Sequence, residues 1–416
     1  MRRRWWSVLS ATLLVVGISA CTTKQNNTTG NEQPPIVVGS TLSLTGAFAA
    51  TGLIHKIAGE EFVERLNKAG GVLGRQVQWK VLDDQSDTTK VGPLYEQLIT
   101  QDKVDLILGP YATPNILAAM AVAERHGYVM PHHTAVLAPQ LTYACQFPGW
   151  SIGPTPNSFI PNQLFDAVAS LPNPPKKIAV LTSQSGSAAF VTDGLGNDKN
   201  GVPTIAAQRG LQVVLNEHYA PGTTDWTNLA TKVRDAAPDL VISNSLGVDT
   251  VGQLNAMKQL GYKPPLTFSL FPAPGPLLGL GADGEGILSV SIFEPNPTNL
   301  DKMGGDVKAI VQDFKKRATD AKVPYTVFET QAAASWNAWQ ILTEGVKGAG
   351  KLDQKAICDS LHSKGADTTF SGHLTFDQKV NNFWPTTLGI KQIQSGDWVM
   401  VWPVDKAAAK LKGAAT

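Results

Sequence analysis

From Ile36 onward, short apolar runs alternate with longer stretches whose apolar positions recur every three or four residues. Ile36-Val37-Val38-Gly39-Ser40 has the composition of a buried strand. Ile54, Ile57, Ala58, Phe62 and Leu66 then mark one face of a helix that Gly70-Gly71 stops. A strand over 77–82, a helix over 90–101 and a strand over 105–108 continue the alternation, with further strand-like runs at Val129-Met130 and over 178–181. Repeated βαβ units predict an α/β fold with parallel sheets covered on both faces.

Prolines interrupt the pattern between 147 and 175, among them Pro148, Pro154, Pro156, Pro161, Pro172, Pro174 and Pro175. The alternation then restarts: strand 177–181, helix 190–209, strand 212–216, helix 226–236, strand 240–243 and helix 250–260. A chain of this length predicts two domains. Ligands of open α/β sheets bind outside the carboxyl ends of the strands, so two such lobes facing each other would put those loops around one cleft.

The first residues follow a different logic. Arg2, Arg3 and Arg4 precede an apolar run over 8–20 of about 13 residues, short of the ~20 that span a bilayer as a helix. Residues 1–20 are therefore expected to be a cleaved signal peptide. Ile18-Ser19-Ala20-Cys21 resembles a bacterial lipobox, in which Cys21 is diacylated and becomes the new N-terminus. The Thr/Asn-rich stretch 21–35 would be a flexible tether, and the mature protein would be held outside the membrane on lipid. The alternative is an ordinary signal peptide with a chance cysteine.

Lys+Arg 35 against Asp+Glu 34 gives a formal net charge of +1, which leaves no electrostatic footprint for nucleic acid. Later apolar runs are strand-sized. With Cys21 carrying lipid, Cys145 and Cys358 remain, either bridged or as two free buried thiols; spacing alone does not decide between them.

Several segments then carry a family resemblance over nearly the whole mature chain. They are Val38-Gly39-Ser40-Thr41-Leu42-Ser43-Leu44-Thr45-Gly46, Leu66-Asn67-Lys68-Ala69-Gly70-Gly71-Val72-Leu73-Gly74-Arg75, Leu82-Asp83-Asp84-Gln85-Ser86-Asp87 and Leu108-Gly109-Pro110-Tyr111-Ala112-Thr113. Tyr219-Ala220-Pro221-Gly222-Thr223-Thr224-Asp225-Trp226 and Ser371-Gly372-His373-Leu374-Thr375-Phe376-Asp377 follow in order. Together they resemble type I periplasmic binding proteins, in particular the leucine/isoleucine/valine-binding branch. The resemblance implies two Rossmann-like lobes joined by hinge crossovers, with 36–150 plus about 275–384 forming lobe 1 and 151–274 plus about 385–405 forming lobe 2. It implies a monomeric extracytoplasmic receptor that closes on a small solute and delivers it to an ABC permease and ATPase, with no catalysis and no cofactor.

In this family the loop matching Tyr111-Ala112-Thr113 holds a ligand carboxylate through a hydroxyl and backbone N–H groups, and Thr113 keeps the hydroxyl. Thr113-Pro114 also fits a plain N-cap followed by Pro at N1. The second such loop matches His132-His133-Thr134-Ala135, where the two histidines depart from the family pattern. Ser183-Gln184-Ser185-Gly186-Ser187, then Phe190, stands where relatives carry an Asp and an aromatic. Ser269-Leu270-Phe271-Pro272-Ala273-Pro274 lacks the acid that would meet a ligand ammonium, which buried alone would cost several kcal/mol. The candidate ligand set is Thr51, Tyr111, Ala112, Thr113, His133, Thr134, Ala135, Gln184, Phe190, Asn244 and Phe271. It suits a hydrophobic or aromatic carboxylate or amide at least as well as a branched-chain amino acid. Asp249 could instead supply the missing charge.

Enzyme-like motifs fail on context. Gly279-Leu280-Gly281-Ala282-Asp283-Gly284 precedes a strand rather than opening a helix, and Gly345-Val346-Lys347-Gly348-Ala349-Gly350-Lys351-Leu352 follows a helix and lacks the Ser or Thr of a phosphate loop. His126, His132 and His133 have no metal-ligand spacing, and neighbouring histidines on an extended segment point to opposite faces. Asp83, Asp84 and Asp87 read as loop carboxylates and a helix cap, and Trp336 and Trp339 as core. A ligand sensor of the same fold is the alternative function. It would carry an appended membrane or output segment, and none is read after Lys410.

Overall fold

The computed structural model describes residues 33–133, 135–137, 140–323, 325–384 and 388–413. The expected signal peptide, Cys21, most of the tether and Thr134 lie outside the described residues. The last tether residues, Pro34 and Pro35, offer their carbonyls to the Arg75 guanidinium at 2.8 and 3.3 Å.

Three parallel strands form the first sheet, in the order β2-β1-β3: β1 (Ile36–Leu42), β2 (Val77–Asp83) and β3 (Leu106–Ile107). Helices α1 (Ala49–Lys68) and α2 (Thr88–Thr100) connect them, and α3 (Thr113–His126) follows. Asp87 caps α2 by accepting from Thr89 N, while Asp84 accepts from the hydroxyls of Thr41 and Ser43. Asp84 thus ties the end of β1 to the end of β2, and Asp87 serves as a helix cap. Strands β4 (Met130–His132) and β5 (Gln146–Pro148) form a parallel pair, and the disulfide Cys145–Cys358 fastens the entry to β5 onto a later helix with Cα atoms 5.5 Å apart.

After the proline-rich stretch come α4 (Pro156–Ala169), β6 (Lys177–Ser183), α5 (Phe190–Asp193), α6 (Val202–Gln208), β7 (Gln212–Tyr219) and α7 (Thr227–Ala236). Then follow β8 (Leu240–Gly247), α8 (Asp249–Gln259), β9 (Leu266–Pro272), α9 (Pro274–Leu278) and β10 (Leu288–Ser291). The chain continues through α10 (Pro297–Met303), α11 (Gly305–Asp320), α12 (Thr330–Ala349), α13 (Gln354–Lys364), the hairpin β11 (Ala366–Thr368) and β12 (Gly372–Leu374), and the pair β13 (Gly389–Gln394) and β14 (Asp397–Trp402). The larger sheet has the order β14-β13-β10-β9-β8-β6-β7, parallel from β10 to β7, with β13 and β14 antiparallel. The result is a mixed α/β fold with mainly parallel sheets.

Two sequence expectations differ from the structure. The single helix over 190–209 is two short helices, because Gly194 takes φ +84° and a Cβ on Gly201 would sit 1.9 Å from the Thr192 carbonyl oxygen. The strand Leu288–Ser291 falls inside the stretch assigned to lobe 1, yet it hydrogen-bonds to β9 and β13 in the larger sheet.

Separate cores underlie the two sheets. Phe62 of α1 and Trp336 and Trp339 of α12 meet at 5.1 and 5.7 Å between ring centroids, so both tryptophans are core. Phe165, Ile178, Phe190, Ile242 and Phe268 fill the core of the larger sheet. Between the sheets the chain crosses after β5, after β10 and before β13. Ser151 Oγ donates to the Trp384 carbonyl at 2.6 Å, and the Trp384 indole N–H donates to the Pro148 carbonyl at 3.2 Å, which joins two of these crossings. At the third, Lys391 of β13 reaches Glu294, just beyond β10, at 2.7 Å. No helix among the described residues is long and apolar enough to cross a membrane.

Candidate functional site

Between the carboxyl ends of the strands of the two sheets lies a narrow cavity of about 30 Å³. From the first sheet it takes Phe48, in the loop leading into α1, and Tyr111, Ala112 and Thr113 at the start of α3. Ser187, Leu246 and Phe271 come from the larger sheet, at or beyond the ends of β6, β8 and β9. Val136, Trp150 and Gln331 complete the wall, the last from the first turn of α12.

Thr113 is the first residue of α3 and not its N-cap; Ala112 occupies the cap position with φ 72° and ψ 138°. That conformation is sparse for a residue with a Cβ, and strain of this kind gathers at ligand sites. It sets the first turn of α3, whose leading N–H groups have no carbonyl inside the helix, at the cavity wall. Thr113 Oγ1 accepts from Val136 N at 3.2 Å and keeps its own hydrogen to donate. Tyr111 packs edge-on against Phe48 at 5.9 Å, and Trp150 against Phe271 at 5.8 Å. Burial pushes the Tyr111 hydroxyl up to about 12, with the Thr51 hydroxyl beside it pulling the other way.

Behind Tyr111 the imidazole of His55 lies 5.1 Å from the tyrosine ring and stacks on His133 at 4.3 Å. Both histidines are wholly buried, and their ring nitrogens make no well-aligned hydrogen bond. Burial pushes His55 down to about 3, opposed by Gln331, and holds His133 well below its ordinary value. His132 turns the other way, as expected of an extended segment, and meets Gln146 Oε1 at 2.6 Å. Among the described residues no group of three His, Cys, Asp or Glu side chains could hold a metal ion.

The structure brings four candidates, Tyr111, Ala112, Thr113 and Phe271, into one wall. Thr51, His133 and Ala135 lie buried behind it. The other three described candidates, Gln184, Phe190 and Asn244, stand outside the wall. Gln184 is exposed and its backbone N–H completes the sheet to Tyr219. Phe190 points into the core of the larger sheet, and Asn244 Nδ2 donates to Thr192 Oγ1 at 2.6 Å. Asp249 accepts from the Tyr219 hydroxyl at 3.0 Å and is not part of the wall. Phe48, Val136, Trp150, Ser187, Leu246 and Gln331 were missed. Only Ser187, within the Ser-rich run after β6, carries a signal in the sequence; Leu246 comes from the end of β8, Phe48 from the loop into α1, and Trp150 and Gln331 from distant segments brought together by packing.

Residues 35–396 match the family model described as periplasmic binding protein. The chain is 24% identical over 346 residues to the leucine-, isoleucine-, valine-, threonine-, and alanine-binding protein of Pseudomonas aeruginosa, covering 81% of this chain and 84% of that one. Among solved structures, the branched-chain amino acid transporter substrate binding protein LivJ of Streptococcus pneumoniae, in complex with isoleucine, superposes with a TM-score of 0.69 at 19% identity, covering 88% of this chain and 99% of that one. A solute binding protein of an ABC transporter from R. palustris, in complex with benzoate, does so with a TM-score of 0.71 at 17% identity, covering 92% and 98%. With its two α/β sheets, the cavity between their strand ends and a family match over most of its length, the chain belongs to the periplasmic binding protein family and is a solute-binding receptor, not an enzyme.

Proposed function

We propose that this protein is the extracytoplasmic receptor of an ABC importer, and that it closes two lobes on a small apolar solute bearing a carboxylate or amide. The observation that carries the solute class is the makeup of the wall: four aromatic rings and not one charged side chain. An ammonium there would be buried without an opposing charge, whereas a carboxylate or carbonyl oxygen would meet Thr113 and the first turn of α3. The fold serves both kinds of ligand, since one structural neighbour holds isoleucine and another benzoate. The uncharged, aromatic lining is what supports the second kind for this chain. Closure would bend the three crossings that join the sheets, and the loaded receptor would hand its solute to a membrane permease.

Isothermal titration of the purified protein with leucine, isoleucine, valine, benzoate and benzamide tests the solute class. Benzoate or benzamide should bind more tightly than any of the three amino acids; tight leucine binding with no response to the other two would overturn the reading. Retention is tested separately. Cys21→Ala should release the protein from the membrane fraction without changing its titrations, and unchanged retention would remove the lipid anchor from this proposal.

A further inference from the structure

Three polar atoms in the cavity wall have no hydrogen-bond partner: the Trp150 indole nitrogen, Ser187 Oγ and Gln331 Oε1. Their residues are 2%, 6% and 8% exposed, so water reaches them poorly. The indole N–H only donates, the Gln331 amide oxygen only accepts, and the Ser187 hydroxyl does both. An occupant that satisfies them must therefore bring an acceptor for Trp150 and a donor for Gln331. A bare carboxylate supplies acceptors alone.

An ammonium would supply donors, but its charge finds no partner in the wall. The carboxylate nearest in sequence to Gln331 is Glu329, and it is engaged: Oε1 accepts from Gln331 N at 2.9 Å, and Oε2 lies 3.5 Å from Lys391 Nζ. That same cap fixes the first turn of α12, from which Gln331 reaches the cavity, so the acceptor is held by the backbone beneath it. Behind it, the His55 ring lies close enough to be influenced by the Gln331 side chain without forming a well-aligned hydrogen bond to it, and burial keeps His55 and His133 neutral, so neither adds charge of either sign.

We infer that Gln331, with Trp150 and Ser187, selects solutes that carry an uncharged hydrogen-bond donor, a hydroxyl or an amide N–H, on an apolar frame. This deepens the reading of the cavity as the solute site and rests on it. An analogue that lacks the donor leaves Gln331 Oε1 buried and unpaired, and such sites reject it strongly.

The test is calorimetric titration of the whole protein with benzoate and its three monohydroxy isomers. At least one hydroxy isomer should bind about tenfold or more tightly than benzoate, the effect expected of one buried hydrogen bond satisfied rather than lost. Gln331→Met, nearly conserved in volume, should abolish that preference. Thermal unfolding of the unliganded variant shows that it folds, with Gln331→Leu as the second choice, and Trp150→Phe should weaken all four probes. Equal binding of benzoate and every hydroxy isomer, or a preference that survives in the Gln331 variants, overturns the inference and leaves the solute site standing. If none of the four probes binds, the reading of the site falls, and the inference with it.

Discussion

His55 stacks on His133 with ring centroids 4.3 Å apart and planes 20° from parallel, and neither ring touches solvent. The contact joins α1 to the loop after β4 directly behind Tyr111, so it backs one wall of the cavity. Two imidazolium rings could not share this place, because both charges would be desolvated and face each other.

The pair should make the fold sensitive to acid. Burial depresses His55 to about 3 and His132 to about 4, and holds His133 well below its ordinary value. Below pH 6.5 the unfolded chain takes up protons on these residues while the folded chain does not, so stability is present above 6.5 and lost as pH falls toward the folded values. Each wholly neutral histidine costs about 2–3 kcal/mol between pH 6.5 and 4.5. His133→Phe, which keeps a ring against His55, should reduce the drop in urea unfolding free energy over that range by a similar amount. An unchanged drop would mean that other groups carry the acid sensitivity.

Lys391 should matter more at neutral pH than in mild acid. It is enclosed with Glu294 and Glu329, and it also lies 4.7 Å from the Trp398 ring centroid. Burial pushes Glu294 up to about 7 and raises Glu329, against the pull of the Lys391 ammonium. Lys391→Met leaves two buried carboxylates without their cation and should cost about 3–5 kcal/mol at pH 7. A raised carboxyl favours the folded state as pH falls through its folded value, so the loss should shrink by pH 5. Denaturation at the two pH values checks this; an equal loss at both would contradict it.

The disulfide should stabilise without shaping the site. Cys145 and Cys358 are separated by 213 positions in sequence and neither lines the cavity. Replacing both with Ser should lower unfolding free energy by about 2–5 kcal/mol. Solute titration at 25 °C should be unchanged, and a loss of affinity in a folded variant would show that the bridge positions the wall.

Gly109 is a position where a single methyl group should damage the site. A Cβ there would lie 2.5 Å from His132 Cβ and 3.2 Å from His132 Cα, and Gly109 N donates to Pro131 O at 2.7 Å. Two residues later the chain delivers Tyr111. Gly109→Ala should force β3 and β4 apart, cost about 1–3 kcal/mol of stability, and weaken solute binding. A variant that binds as well as the parent would show that the loop adjusts freely.

The segments most legible in the sequence were those whose signal is local. Alternation of strand and helix runs gave β1, α1, β2, α2 and the units from β6 to α8, with ends displaced by a few residues. The stretch from Gly345 to Gly350 reads as a helix end, but α12 runs on to Ala349 and only Gly350 is its left-handed cap. The helix expected over 190–209 breaks in two because the backbone demands of three glycines outweigh its apolar period.

Residue order alone establishes that the chain is α/β and that a Thr-bearing loop opens α3. Residue type and local period carry those facts. Tertiary structure decided what stands opposite that loop. Trp150 comes from a crossing between the sheets and Gln331 from a helix more than two hundred residues beyond α3. Contacts between such distant segments are set by packing and by hydrogen bonding of sheet edges, and neither leaves a periodic trace along the chain.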